Sequence, residues 1–186
     1  MEFEKNQIYH VFNRGNNKEK VFYYEANYVF FKKKLQEHIS TYADLLAWCL
    51  MPNHFHLMIE VIQPIIKGIS LNQSIGRMLS SYTRAINKQE RRTGSLFQQH
   101  TKAVCVSHPP KLMPAWYMQH GITIITPASP EKEYPFTCMR YIHNNPLVDG
   151  FVKQAQQWKY SSLQEYLGLS DKPLVNLNKG RYYFTE

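Results

Sequence analysis

Residues 43–61 set the tightest limit on what this chain can become. Ala43 to Leu50 is an apolar run short enough to be a buried strand, although pattern alone also admits a helix. Met51-Pro52-Asn53 is a turn, and His54-Phe55-His56-Leu57-Met58-Ile59-Glu60-Val61 reads as a second strand. The two form a hairpin, and the rest of the chain must cover it. Residues 7–13 are rich in β-formers and read as another strand, ended by the polar turn Arg14-Gly15-Asn16-Asn17-Lys18. A helix is expected from Asn27, with Tyr28, Phe31, Leu35 and Ile39 on one stripe. A second runs from Leu71 to Glu90, its apolar stripe being Ile75, Met78, Leu79, Tyr82 and Ile86. Ser95 to Val106 adds a strand. The order β-α-β-β-α-β implies an α+β sandwich, an antiparallel sheet with helices over one face.

The remainder has a different texture. Six of the ten prolines fall within 107–135 (Pro109, Pro110, Pro114, Pro127, Pro130 and Pro135), which marks an irregular, Pro-rich insertion with a short strand at 121–126. A third helix is expected from Pro135, at a position that suits proline, to Asn145, where Pro146 stops it. Ser161 or Ser162 can cap a last short helix ending at Gly168. The expectation is one domain over 1–168, followed by a C-terminal tail at 169–186. Hydrophobic residues make up 44% of the 186, enough for a core, and no apolar run is long enough to span a bilayer. Met1 to Lys5 lacks the pattern of a secretory signal, so a cytoplasmic location is expected. Cys49, Cys105 and Cys138 form no CxxC pair, which argues against a disulfide framework or a zinc knuckle. The formal net charge of +8 favours polyanionic partners, nucleic acid first, but charge alone is equally compatible with no particular partner.

His54-Phe55-His56 is the sharpest chemical feature. On a strand, i and i+2 share a face, so the two imidazoles stand side by side while Phe55 enters the other face. That is a platform for a divalent metal, or else simply two hydrogen-bonded histidines. Arg140-Tyr141-Ile142-His143-Asn144-Asn145-Pro146 is the second feature. Tyr141 and Asn145 are i and i+4 on a helix and share a face, either as a hydroxyl and an amide approaching one metal or as a packed ring and a helix-end residue. Tyrosine is a weak nucleophile at neutral pH, and a metal at the scissile phosphate would compensate by neutralising developing charge. Two histidines and one amide oxygen leave coordination positions open, as a closed zinc cage does not. Arg77, Arg84, Lys88 and Arg91, continued by Arg92, make a basic stripe that reads equally as a phosphate track or a solvated helix face, and Arg14, Lys18 and Lys20 extend the basic surface. Tyr9 and Phe97 suit the core better than base stacking. Glu60 shares the parity of the histidines, in a supporting or structural role, and His143 lies off the Tyr141 face.

These blocks together resemble a known family. Met51 to Leu57 resembles the HUH motif (His-hydrophobic-His) of the single-tyrosine transposases of the insertion-sequence two-hundred type. The closer resemblance is to their chromosomal relatives, the REP-associated tyrosine transposases, through Tyr141 to Pro146, Arg92 to Gln98, Trp158 to Ser162 and Tyr9 to Gly15. The resemblance implies a ferredoxin-like core with the histidines on a central strand and an additional helix carrying the catalytic tyrosine. It implies Tyr141 as nucleophile and His54, His56 and Asn145 as ligands of Mg²⁺ or Mn²⁺. It further implies single-stranded DNA beside a hairpin or palindromic repeat as partner, a 5′-phosphotyrosine intermediate, nucleoid association through DNA, and either a monomer or a homodimer. Arg14, Arg77, Arg84, Lys88, Arg91 and Arg92 are the candidates for contacting DNA. Two features depart from the family pattern: Gln99-His100-Thr101 stands where an Arg-aromatic pair is usual, and the 107–135 connection is longer. Two rival readings are a non-catalytic single-strand binding module and a hydrolase that uses water in place of Tyr141.

Overall fold

The computed structural model describes residues 2–107, 116–119, 122–125 and 130–184. Eight strands and five α-helices follow one another in the described residues. They are β1 (Ile8–Arg14), α1 (Glu25–His38), β2 (Ala43–Met51), β3 (His54–Val61), β4 (Ile65–Ile66), β5 (Ile69–Ser70), α2 (Leu71–Gln89), β6 (Lys102–Cys105), β7 (Trp116–Gln119), β8 (Ile122–Ile125), α3 (Pro130–Val148), α4 (Leu163–Tyr166) and α5 (Leu177–Gly180).

The main sheet has the order β2-β3-β1-β6, with every pair antiparallel. With α1 between β1 and β2 and α2 between β3 and β6, this is the ferredoxin-like βαββαβ arrangement. It arises because each strand presents two unlike faces. Val11, Phe55, Leu57 and Ile59 point to one side and are buried with Phe31 of α1 and Tyr82 of α2. Phe31 lies against Phe55 (ring centroids 5.2 Å) and Tyr82 (5.0 Å), which seals both helices to that face. Each fully buried side chain of this size contributes about 1.5–3 kcal/mol of transfer free energy. On the other side stand His10, Phe12 and Arg14 of β1, paired in register with Met58, His56 and His54 of β3. That face is where α3 packs, principally on β2.

Several boundaries differ from the sequence expectation. Asn27 does not begin α1; it lies inside the first turn, and its Oδ1 accepts from the backbone N–H of Tyr23 and Tyr24, so the helix starts at Glu25. The capping of α2 at Ser70 is reciprocal with Gln73, whose N–H donates to Ser70 Oγ while its side chain accepts from the Ser70 N–H. Only Lys102–Cys105 of the expected Ser95–Val106 strand is extended and paired. The residues before it turn inward, with Leu96 and Phe97 in the core, and touch β1 only near its end, where the Gln98 N–H donates to the Arg14 carbonyl.

The third helix is longer than expected at both ends, running Pro130–Val148 with Pro135 and Pro146 inside it. A proline's fixed φ is already helical, and what it removes is one N–H donor. Pro146 lies in the last turn, where the chain still closes through the Asp149 N–H on the Asn145 carbonyl. Within 107–135, β7 and β8 pair as an antiparallel hairpin, of which only the second strand had a sequence signal; 108–115, 120–121 and 126–129 lie outside the described residues.

Residues 158–184 include α4 and α5. They line the outer edge of β2: the Leu50 N–H donates to the Tyr160 carbonyl, the Ser162 N–H to the Trp48 carbonyl, and the Asn176 N–H to the Leu45 carbonyl. Glu165, buried, accepts from Trp48 Nε1 and from the Leu174 and Val175 N–H groups. Lys179 bridges Asp44 (2.8 Å) and Glu60 (3.1 Å), which makes Glu60 a structural anchor. An edge strand is thereby covered, as a buried sheet requires.

Gly15 is packed so closely that a Cβ there would collide with the Glu19 carbonyl and crowd Val21. Gly15→Ala should therefore destabilise the protein by about 1–3 kcal/mol, the usual cost of overpacking, read as a lower urea midpoint at unchanged slope. An unchanged midpoint would mean that the 15–21 loop gives way freely.

Candidate active site

Four side chains expected to share a site do so. His54 and His56 project from β3 onto the face opposite the α1–α2 layer, and α3 crosses that face with Tyr141 and Asn145 turned toward them. His54 Nε2 lies 2.9 Å from Asn145 Oδ1, joining groups 91 residues apart. The Tyr141 ring stands edge-on to His56, with centroids 5.4 Å apart. Its ring is 44% exposed, so an incoming phosphate can reach it.

The hydrogen bonds restrict the protonation states. Asn53 Oδ1 is 2.6 Å from His54 Nδ1, so both ring nitrogens of His54 face amide oxygens. A neutral imidazole carries one N–H. With that proton directed to Asn53, Nε2 and Asn145 Oδ1 turn lone pairs toward each other. Burial holds the His54 imidazole below its ordinary pKa despite the Asn145 contact, and it holds His56 well below, with His10 and His54 adding to the shift. Both rings are thus neutral at neutral pH, the ligand form. Two converging lone-pair donors at this spacing suit neighbouring positions on a small divalent ion with ligands at about 2.1 Å. Among the described residues no three His, Cys, Asp or Glu side chains form a cage, and the oxygen beside His54 Nε2 is that of the Asn145 amide. Asn145 also acts on the Tyr141 phenol, opposing the upward shift that burial imposes on it.

His10 is one of two residues that sequence reasoning missed. Its Nε2 is 2.9 Å from His56 Nδ1, its ring stacks on His56 at 5.0 Å, and it meets the Tyr141 ring edge-on at 5.9 Å. Burial lowers its pKa to about 4. The even-numbered run His10-Phe12-Arg14 was a signal for one face of a strand, but only the register of β1 against β3 reveals which partner it meets. Lys102 was missed for the same reason. It pairs with Phe12 across β1–β6, and its Nζ lies 5.9 Å from the Phe12 ring on the histidine face.

The proposed DNA contacts divide. Arg14 is exposed, opposite His54 in register, and its charge acts on His54, His56 and Tyr141. Arg77, Arg84 and Lys88 are exposed on α2, which covers the other face of the sheet, so the fold does not bring them to the histidines. Arg92 is half-buried and contacts Glu19 at 3.5 Å, and Arg91, next to it, is exposed at a left-handed turn with φ 50. The Arg92–Gln98 block closes the α2 exit against the end of β1, since Asn87 donates to the Gly94 carbonyl and Asn16 N–H to that of Leu96. Tyr9 and Phe97 are core residues. His143 is buried with Nε2 2.9 Å from Ser162 Oγ, and burial takes its pKa down to about 3. Ser162 also accepts from the Trp48 N–H, so the Trp158–Ser162 block fixes α3 against β2. Cys49 and Cys138 are buried, and burial pushes both thiols up, that of Cys138 to about 12.

Residues 4–119 match the family model described as Transposase IS200 like. The chain belongs to the IS200-like transposase family. The matched segment contains β1 through β7 with both histidines and ends before α3. Among solved structures, a REP-associated tyrosine transposase bound to a REP hairpin has a similar fold, with a TM-score of 0.56 at 16% identity, over 94% of this chain and 87% of that one. No curated protein matches. No helix among the described residues is long and apolar enough to cross a membrane.

Proposed function

We propose that this member of the IS200-like transposase family nicks single-stranded DNA with Tyr141 and rejoins it by strand transfer, using a divalent metal held by His54, His56 and Asn145. The observation that carries the reading is the approach of Asn145, on the same helix turn as Tyr141, to the His54 ring. A bound Mg²⁺ or Mn²⁺ would polarise the scissile phosphate and neutralise charge on it. Arg14 and Lys102, on the same face, supply fixed positive charge for the flanking phosphates. The Tyr141 oxygen attacks phosphorus, the bond from phosphorus to the 3′-oxygen breaks, and the 5′ end becomes a phosphotyrosine. One proton leaves the phenol and one is taken up by the departing 3′-oxygen. The retained ester energy lets a 3′-hydroxyl attack in reverse and reseal the strand. Asn145, one helical turn from Tyr141 on α3 and 2.9 Å from His54 Nε2, sets the position of the attacking side chain relative to His54. The contacts of His143 and Ser162, which tie α3 to β2, support delivery of Tyr141 in cis. The hairpin held by the REP-associated relative supports a folded single strand as substrate. The exposed stripe of Arg77, Arg84 and Lys88 is left for a distal part of that DNA.

His10 positions His56. With His56 Nδ1–H donating to His10 Nε2, the His56 Nε2 lone pair is free for the metal, an outer-ligand arrangement that usually contributes 10–100-fold in affinity. His10→Ala should weaken Mn²⁺ binding by roughly that factor in calorimetry, and His10→Gln, which retains an acceptor, by less. Equal affinity in all three proteins would remove His10 from the site.

The direct test of the metal site uses labelled single-stranded DNA from the gene's own flanks. A DNA-linked protein band on a denaturing gel should require Mn²⁺ or Mg²⁺ and vanish in His54→Ala. A band formed equally in chelator would contradict the metal assignment. Salt-sensitive binding without any band would favour the non-catalytic module.

A further inference from the structure

The β1–α1 loop, the β2–β3 turn and the residue after the α3 C-terminal turn border an open cleft of about 400 Å³. That is within the ~300–1,000 Å³ range of small-ligand pockets. Its floor is the stacked pair Phe22 and Tyr28, both buried, with centroids 4.5 Å apart. At its rim is Phe151, 50% exposed and backed by Trp158 at 5.6 Å. Lys18 and Lys20 line it from the loop, and neither enters an ion pair among the described residues. The loop turns at Asn17 and Lys18, two successive non-glycine residues in the left-handed region, φ 53 and 61.

The position of the cleft is as informative as its lining. Asn53 is in its wall and at the same time holds His54 Nδ1 at 2.6 Å. Phe151 follows Asn145 by six residues, just past the end of α3, and its N–H donates to the Pro146 carbonyl. Arg14 precedes the lysine loop on the same strand end. The three segments that build the cleft are therefore the direct continuations of those that carry His54, Asn145 and Arg14. A flat exposed ring, an aromatic floor and two unpaired cations are the chemistry that takes a base together with its phosphate.

We infer that this cleft holds one unpaired nucleotide of the cut strand, its base against Phe151 and its phosphate on Lys18 and Lys20. The inference rests on the Tyr141 reading, because the nucleotide is next to the phosphate that Tyr141 attacks. The strand thus enters with one base turned out of the helix stack, which favours cleavage at single-stranded positions over duplex.

The probe is a fluorescent single strand carrying the flanking DNA, with an abasic site moved along it one position at a time. Phe151→Ala should bind it roughly 10-fold more weakly, and Phe151→Tyr as well as the unaltered protein. One abasic position should cost the unaltered protein the same factor and cost Phe151→Ala nothing more. Lys20→Ala should lower the slope of log affinity against log salt by about 1. If Phe151→Ala melts early, Lys18→Glu and Lys20→Glu, both at exposed positions, should give the same loss of binding. Undiminished binding in Phe151→Ala and in both lysine variants, with the Tyr141 adduct still formed by the unaltered protein, overturns the cleft and leaves the Tyr141 reading intact. No binding of single-stranded DNA by the unaltered protein overturns both.

Discussion

Tyr141→Phe should form no covalent adduct with DNA, a loss of roughly 10³-fold or more in strand cleavage, while single-stranded DNA still binds. The size follows from the chemistry: the substitution removes one oxygen, and that oxygen is the one that bonds to phosphorus. Little else changes, because the ring is at the surface, 44% exposed, and its contacts with His10 and His56 are edge-on ring contacts that phenylalanine preserves. Fold and metal affinity should therefore remain within a few-fold of the unaltered protein. A hydrolase would behave differently, since water would attack whether or not residue 141 carries a hydroxyl. Cleavage that survives in Tyr141→Phe, giving a free 5′-phosphate, is the outcome that would support that rival.

The second large effect is on stability in acid. His143, His10 and His56 are neutral in the folded protein, with pKa values lowered by burial to about 3 for His143, about 4 for His10, and well below the ordinary value for His56. In the unfolded chain each returns to about 6.5. As pH falls below 6.5 the unfolded state takes up protons that the folded state refuses. Stability is thus complete above that pH and declines as pH drops toward the folded values. Each histidine contributes a slope of about 1.4 kcal/mol per pH unit in that window. His143 and His10 together approach about 3 kcal/mol per unit, and His56 adds in the same direction, against a total of about 5–15 kcal/mol for a domain of ordinary stability. The metal-free protein should lose its fold cooperatively between about pH 5 and pH 4. His143→Gln, which can still bond to Ser162, should flatten the slope by about one proton. Urea unfolding repeated from neutral pH downward measures this, and a midpoint independent of pH would mean that these histidines are solvated when folded.

Much of the site was legible because strand parity is a strong code. The alternation in His54-Phe55-His56 fixed which residues share a face, and Phe55 is indeed in the opposite layer against Phe31 and Phe97. The i, i+4 relation of Tyr141 and Asn145 gave one helix face in the same way. What remained hidden depends on distance in space. His10 meets His56 only through the antiparallel register of β1 and β3, which no local pattern encodes. Of the basic stripe, Arg77, Arg84 and Lys88 lie exposed along α2 while Arg91 and Arg92 follow its end, and which side of the sheet α2 covers is a property of the whole fold. Asn27 and Pro146 misled for local reasons. Asn27 has a capping side chain that reaches backward from inside the helix, and Pro146 costs one hydrogen bond in a last turn that tolerates the loss. Trp158-Lys159-Tyr160-Ser161-Ser162 read as a helix cap, whereas its main work is to pair with the β2 edge and fix His143. Sequence composition carries no sign of such an edge contact.

The central claim is that one atom, the Tyr141 hydroxyl oxygen, becomes bonded to DNA. The most direct measurement is to form the adduct with Mn²⁺ on single-stranded flanking DNA, digest protein and DNA, and locate the modified residue by peptide mass. The expected result is a single modified peptide, containing Tyr141, whose added mass is that of a 5′-linked nucleotide phosphate. Modification of any other residue, or cleaved DNA with no modified peptide at all, would contradict it.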